Sequence, residues 1–230
     1  MALKTHFDKE FFGFLTELQE NNTREWFQAN KDRYREEVQE PLLRFISDFA
    51  EPLHEISPHF VADPRPSGGS MFRIYRDVRF SKDKSPYKTH AAAQFRHRAG
   101  RDAHAPGFYL HLEPGSVFVG AGSWHPERSI LEAFRAAIVD DPKRWKGILA
   151  DPVFSKKLDL EGESLKRPPR GFDPEHPLIE DIKRKDFICV ERFSQAKACR
   201  AGFIDEVAAS FTAAAPFVRF LTEAAGQPFV

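Results

Sequence analysis

A turn-rich stretch at residues 62–69 divides the chain into two parts with different hydrophobic patterns. It has two prolines and two glycines within eight residues, a composition that favours neither a helix nor a strand. Before it, apolar residues such as Phe7, Phe11, Phe14 and Leu18 recur every three or four positions, as in an amphipathic helix. After it, several segments alternate apolar and polar residues, as strands do. The switch predicts helices first and strands second.

The first part, residues 1–60, is predicted to form an acidic helical region. Asp8 is a suitable N-cap for the first helix and Thr23 for the second. Pro41 is expected to kink or break the helical pattern that continues beyond it. The region carries seven basic and twelve acidic side chains, so it could pair with a basic surface elsewhere in the chain.

The second part, beginning with a strand core at residues 70–122, alternates strands with further helices. We expect strands at residues 72–80, 90–96, 107–113, 116–120 and 187–193, helices within 126–160 and at 203–224, and a loop at 161–177. Pro114-Gly115 predicts an antiparallel hairpin, and Pro216 requires a kink or a division of the last helix. This order predicts a single α+β domain, in which an antiparallel sheet of about five or six strands packs against N-terminal and C-terminal helices.

The composition indicates a soluble globular protein whose charge balance is neutral overall. The chain has 230 residues, with 34 basic and 34 acidic side chains, which excludes a protein that is basic throughout. Its apolar runs are shorter than the roughly 18–20 residues of a membrane span, and its first residues lack a signal-peptide core. Two cysteines, Cys189 and Cys199, fit a reducing compartment. We therefore expect a cytoplasmic protein with no membrane partner.

The strongest local charge lies between residues 71 and 101, where nine basic side chains accompany two acidic ones. Arginine and lysine together suit phosphate and carboxylate groups, and the Ser- and Lys-rich stretch after Phe80 could present backbone N–H groups to an oxyanion. We therefore predict a site for a small anionic ligand. Its candidate residues are Arg73, Arg76, Arg79, Lys82, Lys84, Tyr87 and Lys88, with Arg167 and Arg170 closing from the proline-stiffened loop.

The same cluster has three alternative interpretations. Arg73 and Arg79 could form structural ion pairs with the acidic helices, and Arg76 would then be buried and need its own partner. The basic stretch could instead bind nucleic acid by stacking bases on aromatic rings. The rings available for this are Tyr75, Phe80, Tyr87 and Phe95. Finally, the basic surface could dock an acidic protein partner.

Catalytic and metal motifs are not evident. The sequence contains no H-E-x-x-H, C-x-x-C or G-x-S-x-G, so we expect no metal site and no cofactor. A zinc or iron site would require two or three of His90, His111, Glu113 and His125 to converge. If the protein is an enzyme acting on a small anionic molecule, Asp77, His111 and Glu113 are its acid–base candidates.

Several motifs together resemble one known family. They are Asn22–Phe27, Arg73–Lys88, Gly107–Glu113 with Gly120–Pro126, and Leu165–Phe172 with Lys183–Phe187. Over about residues 7–215 the chain resembles the domain of unknown function 2461 family. The resemblance implies a single-domain family, mostly of microbial proteins, with no assigned activity. It therefore supplies no catalytic residues.

Overall fold

The N-terminal region is helical, as predicted. The computed structural model describes residues 4–100 and 105–230. Its first elements are α1 (Lys9–Glu20), α2 (Arg24–Ala29), α3 (Lys31–Arg33), a π-helix (Tyr34–Gln39), α4 (Glu40–Asp48) and α5 (Ala50–Ile56). Asp8 and Thr23 cap α1 and α2, each side chain accepting a hydrogen bond from a backbone N–H three residues on. The π-helix ends just before Pro41, so the predicted break is a change of helix type.

A six-stranded antiparallel sheet forms within the described residues. Its strands are β1 (Phe60–Val61), β2 (Ala91–His97), β3 (Gly107–Glu113), β4 (Ser116–Ser123), β5 (Asp159–Glu161) and β6 (Phe187–Phe193). They lie in the order β1-β2-β3-β4-β6-β5, and every neighbouring pair is antiparallel. The Pro114-Gly115 turn joins β3 to β4, as the sequence predicts. The prediction of a single α+β domain is confirmed.

Six helices follow β4 within the described residues, and the last of them packs against one face of the sheet. They are α6 (Arg128–Asp140), α7 (Pro142–Ala150), α8 (Pro152–Lys157), α9 (Ile179–Ile182), α10 (Gln195–Ala198) and α11 (Phe203–Ala224). The alternative that Pro216 divides the last helix is wrong, because α11 continues through it. Phe211 and Phe217 are buried on either side of the proline, so packing offsets the lost helical hydrogen bond. Neither α11 nor any other helix in the described ranges has the length and apolarity of a membrane span.

The two faces of the sheet differ in polarity because side chains alternate along each strand. On β3, Phe108 lies on the helix-covered face, and its ring centroid is 4.8 Å from that of Phe211 in α11. Tyr109, His111 and Glu113 lie on the opposite face of the same strand. The polar side chains of β3 are therefore separated from the main hydrophobic core.

The basic segment, defined here as residues 71–90, does not form the continuous strand predicted at residues 72–80. It makes only isolated bridges, one from Met71 to β2 and one between Tyr75 and Tyr87. The second bridge brings the two ends of the segment together. The residues between them leave the sheet as an irregular loop.

Two aspartates explain why this loop is irregular. Asp77 accepts a hydrogen bond from the backbone N–H of Arg79, and Asp83 accepts one from that of Ser85. Such contacts between a side chain and the backbone two residues on form Asx turns, which compete with strand pairing. The strand predicted from the alternation of charged and apolar residues is therefore wrong, because these Asx turns form in its place.

Candidate functional site

A polar cleft of about 460 Å³ lies between the end of α1 and the basic segment. It is lined by Gln19, Asn22, Arg76, Asp83, Ser85, Tyr87, Lys88, Thr89 and His90. We call it the Arg76–Lys88 cleft. Three of the predicted anion-binding residues, Arg76, Tyr87 and Lys88, line it, so the structure brings part of the predicted set together.

The wall of this cleft is held in place by the N-terminal region. The Asn22 side chain forms hydrogen bonds with both the N–H and the carbonyl of Tyr87. The ring of Tyr87 stacks on Phe27 with a centroid distance of 4.1 Å. The motifs Asn22–Phe27 and Arg73–Lys88, which are far apart in sequence, thus form one structural unit.

Lys88 is a cation of the cleft for which the described part of the chain offers no acidic partner. Its Nζ donates a hydrogen bond of 2.9 Å to the carbonyl of Arg73 and lies 5.1 Å from the ring centroid of Phe72. Within residues 4–100 and 105–230, no carboxylate pairs with it. Burial, with the nearby charge of Arg73, lowers the pKa of the Lys88 ammonium. Lys88 is therefore a partly desolvated cation with no counter-charge from the residues that the structure describes.

Arg76 and Arg79 are both paired with aspartates of their own loop. Arg76 forms an ion pair with Asp83, and Arg79 lies 2.7 Å from Asp77. The Arg76 hydrogen bond holds the pKa of Asp83 well below its ordinary value. The alternative that Arg79 pairs with the acidic helices is therefore wrong. The expected burial of Arg76 is wrong, because its side chain is partly exposed, but it does have an acidic partner in Asp83.

The remaining predicted anion-binding residues lie outside the lining of the cleft. Lys84 donates a hydrogen bond to the carbonyl of Val78, and Arg73 and Lys82 are exposed. Arg167 and Arg170 are exposed on the loop after β5, which is the edge strand farthest from β1 and β2. The structure therefore does not bring these two arginines to the Arg76–Lys88 cleft.

Beside the cleft, His90, His111 and Glu113 form a compact group, which we call the His-His-Glu cluster. Each offers one nitrogen or oxygen atom, and these atoms all lie within 4.8 Å of one another. The distance from His111 Nε2 to Glu113 Oε2 is 3.3 Å. Ala91 pairs with Leu112 in the sheet, so continuing the register by one residue sets His90 opposite Glu113.

The cluster is supported by neighbouring polar groups. The Tyr109 hydroxyl lies 2.9 Å from His111 Nδ1, and Thr89 Oγ1 donates a hydrogen bond of 3.0 Å to Glu113 Oε1. Burial lowers the pKa of His90 to about 4 and also lowers that of His111. Both imidazoles are therefore neutral at neutral pH, and each has a nitrogen lone pair.

His90 and Thr89 connect this cluster to the cleft. Both line the Arg76–Lys88 cleft, while Thr89 also contacts Glu113 and the His90 ring lies 4.4 Å from that of His111. Of the acid–base candidates, His111 and Glu113 are therefore close to the cleft. Asp77 is paired with Arg79 and does not line it.

The third histidine named from the sequence, His125, lies in a separate structural motif. Its Nδ1 is 2.9 Å from Asp186 Oδ1, and its backbone N–H donates to the same oxygen. The other oxygen of Asp186 accepts from the backbone N–H of Glu163. Asp186 is 1% exposed, so it is a buried carboxylate that joins three segments of the chain.

A second cavity, of about 340 Å³, lies between α7 and α11. Its lining includes Arg144, Arg219 and Glu223, and Glu223 pairs with both arginines. These charges are satisfied by one another, in contrast to Lys88. The Arg76–Lys88 cleft is therefore the stronger candidate site.

The sequence missed the residues that position the site. Asn22, Thr89 and Tyr109 were not among its candidates, although Asn22 belonged to a recognised motif, and His90 was named only as one of four residues that a metal site would require to converge. The signal that could have placed His90 beside His111 and Glu113 is strand register, because paired strands with alternating patterns present opposite residues to the same face of the sheet.

One protein-family model matches most of the chain. A family model described as a conserved hypothetical protein, DUF2461, matches residues 10–220. Comparison with curated proteins gives no match. The family match spans both the Asn22–Phe27 motif and the basic segment, and it confirms the resemblance seen in the sequence. The chain therefore belongs to the conserved hypothetical protein family DUF2461.

Proposed function

We propose that this protein binds a small molecule carrying a phosphate or carboxylate group in the Arg76–Lys88 cleft. The observation that carries the proposal is the state of Lys88, a partly desolvated ammonium with no carboxylate partner among the described residues. Even partial burial makes an unpaired charge less favourable than it is in water. An anion in the cleft would provide the missing counter-charge.

The shape and lining of the cleft support a small ligand. Its volume of about 460 Å³ lies within the usual range for small-molecule sites. The Arg76 guanidinium could share its donors between Asp83 and an incoming oxyanion, because the planar group has five N–H donors. A ligand held there would lie beside His90, and therefore near the predicted acid–base pair His111 and Glu113.

Thermal unfolding in the presence of inorganic phosphate, nucleotides and dicarboxylates tests this proposal. A ligand at about 100 times its dissociation constant stabilises the native state by about 2.7 kcal/mol. Lys88→Gln should abolish the stabilisation. Arg79→Gln is the matched control, because Arg79 belongs to the same loop but lies outside the cleft lining, and it should leave the stabilisation unchanged. Equal shifts in both variants would exclude the cleft as the site.

A second candidate function is the binding of single-stranded nucleic acid on the outer surface of the loop. The observation that favours it is Phe80, which is 95% exposed, with the Arg79 guanidinium 5.8 Å from its ring centroid. Tyr75 is also 49% exposed. Bases stack on exposed aromatic rings, and neighbouring cations contact the phosphates.

Two variants separate the two candidates. Phe80→Ala should weaken the binding of an oligonucleotide and leave the binding of a small anion unchanged. Lys88→Gln should weaken the binding of the small anion and leave that of the oligonucleotide unchanged. Affinity for an oligonucleotide should also fall steeply with added salt, because several phosphate contacts release counterions. An affinity that depends weakly on salt and is insensitive to Phe80→Ala would exclude the nucleic-acid function.

A further inference from the structure

We propose that His90, His111 and Glu113 bind a divalent first-row transition-metal ion. Two imidazoles and one carboxylate make up the protein ligands of many zinc and iron sites. The donor atoms lie within 4.8 Å of one another, and His111 Nε2 is 3.3 Å from Glu113 Oε2. Bonds of about 2.0–2.2 Å require donors about 3–3.5 Å apart, so side-chain adjustments of about 1–1.5 Å would complete the site.

The supporting hydrogen bonds are arranged as they are around metal ligands. A ligating histidine donates its other N–H to a polar neighbour, and a ligating carboxylate is itself hydrogen-bonded. Tyr109 provides that neighbour for His111 Nδ1, and Thr89 donates to Glu113 Oε1. Both contacts leave the facing atoms, His111 Nε2 and Glu113 Oε2, directed at each other. A metal ion would bind between these two atoms, and the single N–H of the neutral His111 ring would then lie at Nδ1, where the Tyr109 oxygen can accept it.

The site would be open on one side. Three protein ligands leave at least one coordination position for water or a ligand oxygen. His90 and Thr89 also line the Arg76–Lys88 cleft, so this position would lie beside the cleft. The inference goes beyond the proposed anion binding and does not depend on it, because the cluster needs only its own side chains to hold a metal.

The proposal departs from the expectation of no metal site, which rested on the absence of linear motifs. The cluster has no such motif. Its residues come together because β2 and β3 pair in register, with His111 and Glu113 two residues apart on one strand face. Strand register therefore brings together three metal-binding side chains whose spacing along the chain does not indicate a metal site.

The test uses the full-length, untagged protein after treatment with a chelator. Zn²⁺ is titrated by calorimetry, and Co²⁺ is titrated by visible absorption, which reports coordination directly. We expect one ion per chain. Glu113→Gln and His90→Gln should each lower the affinity more than about 100-fold, and Tyr109→Phe should lower it about 10- to 100-fold. His54→Gln is the control, since His54 is exposed on α5, and it should bind like the parent protein.

Melting and circular dichroism without metal show that each variant is folded. The test relies on Glu113→Gln and His90→Gln rather than on a substitution of His111, because His111 is the more buried of the two histidines. The proposal is overturned if the parent protein binds neither Zn²⁺ nor Co²⁺, or if Glu113→Gln and His90→Gln bind them as tightly as the parent. Phosphate-induced stabilisation of the metal-free protein is measured separately, so failure of the metal site and failure of the anion site are distinguishable.

Discussion

The side chain of Asn22 pairs with the peptide of Tyr87 through two hydrogen bonds of opposite direction. Asn22 Nδ2 donates to the Tyr87 carbonyl at 3.0 Å, and the Tyr87 N–H donates to Asn22 Oδ1 at 3.1 Å. A side-chain amide thus satisfies backbone groups that a neighbouring strand would otherwise satisfy. This contact fastens the basic segment to the end of α1.

Replacing Asn22 should therefore destabilise the protein. Asn22→Ala leaves both backbone groups of Tyr87 without partners, and we expect the free energy of unfolding to fall by about 1–3 kcal/mol. Urea denaturation measures the change. Asn21→Ala is the control, because the Asn21 side chain donates an exposed hydrogen bond to the Glu17 carbonyl and this substitution leaves the Tyr87 peptide paired. Equal losses in the two variants would contradict the role assigned to Asn22.

The ion pair between Arg76 and Asp83 predicts the effect of a substitution on anion binding. Asp83→Asn removes a negative charge from the cleft and releases Arg76, while the amide oxygen can still accept from the Ser85 N–H. We expect phosphate to bind about 2- to 5-fold more tightly, since exposed ion pairs are weak. Asp77→Asn releases Arg79 outside the cleft and should leave the affinity unchanged. Calorimetric titration with phosphate measures both affinities. Weaker binding of phosphate to Asp83→Asn than to the parent protein would contradict the proposed site.

The buried carboxylate of Asp186 should be a major contributor to stability. It accepts hydrogen bonds from His125 and from the backbone N–H of Glu163. Asp186→Ala removes all of these acceptors, and we expect a loss of about 2–4 kcal/mol. Glu163→Gln should change stability little, because it removes only an exposed ion pair with Lys185. Comparable melting temperatures for Asp186→Ala and the parent protein would refute this prediction.

The contacts of Asp48 predict a pH dependence of stability. Hydrogen bonds from His6 and Lys4 lower the pKa of the Asp48 carboxyl in the folded state. In the unfolded chain the pKa of an aspartate carboxyl is about 3.9. The unfolded state therefore binds the proton first as the pH falls, so the stabilisation is complete above that pH and is lost as the pH falls through the folded pKa.

Asp48→Asn should remove this dependence. The stability difference between the parent and the variant, from urea denaturation, is expected to be larger at about pH 6 than at about pH 3. A difference that stays constant over this range would show that the carboxylate charge does not contribute.

The elements predicted from local patterns agree well with the structure. Asp8 and Thr23 cap their helices, and the Pro114-Gly115 hairpin and the strand at Phe187–Phe193 form as expected. These features depend on residues that are close in sequence, since capping, turns and side-chain alternation act over a few positions. The predicted strand at residues 72–80 failed because Asx turns, which are also local, compete with strand pairing.

The sequence by itself determined the α+β class, the helix caps, the hairpin and the concentration of cations between residues 71 and 101. The tertiary structure decided which cations are paired, since Arg76 forms an ion pair with Asp83 and Lys88 has no acidic partner among the described residues. It also joined Asn22 to Tyr87 and assembled the His-His-Glu cluster. Ion pairing and strand register depend on distances between residues remote in sequence, and those distances exist only once the chain has folded.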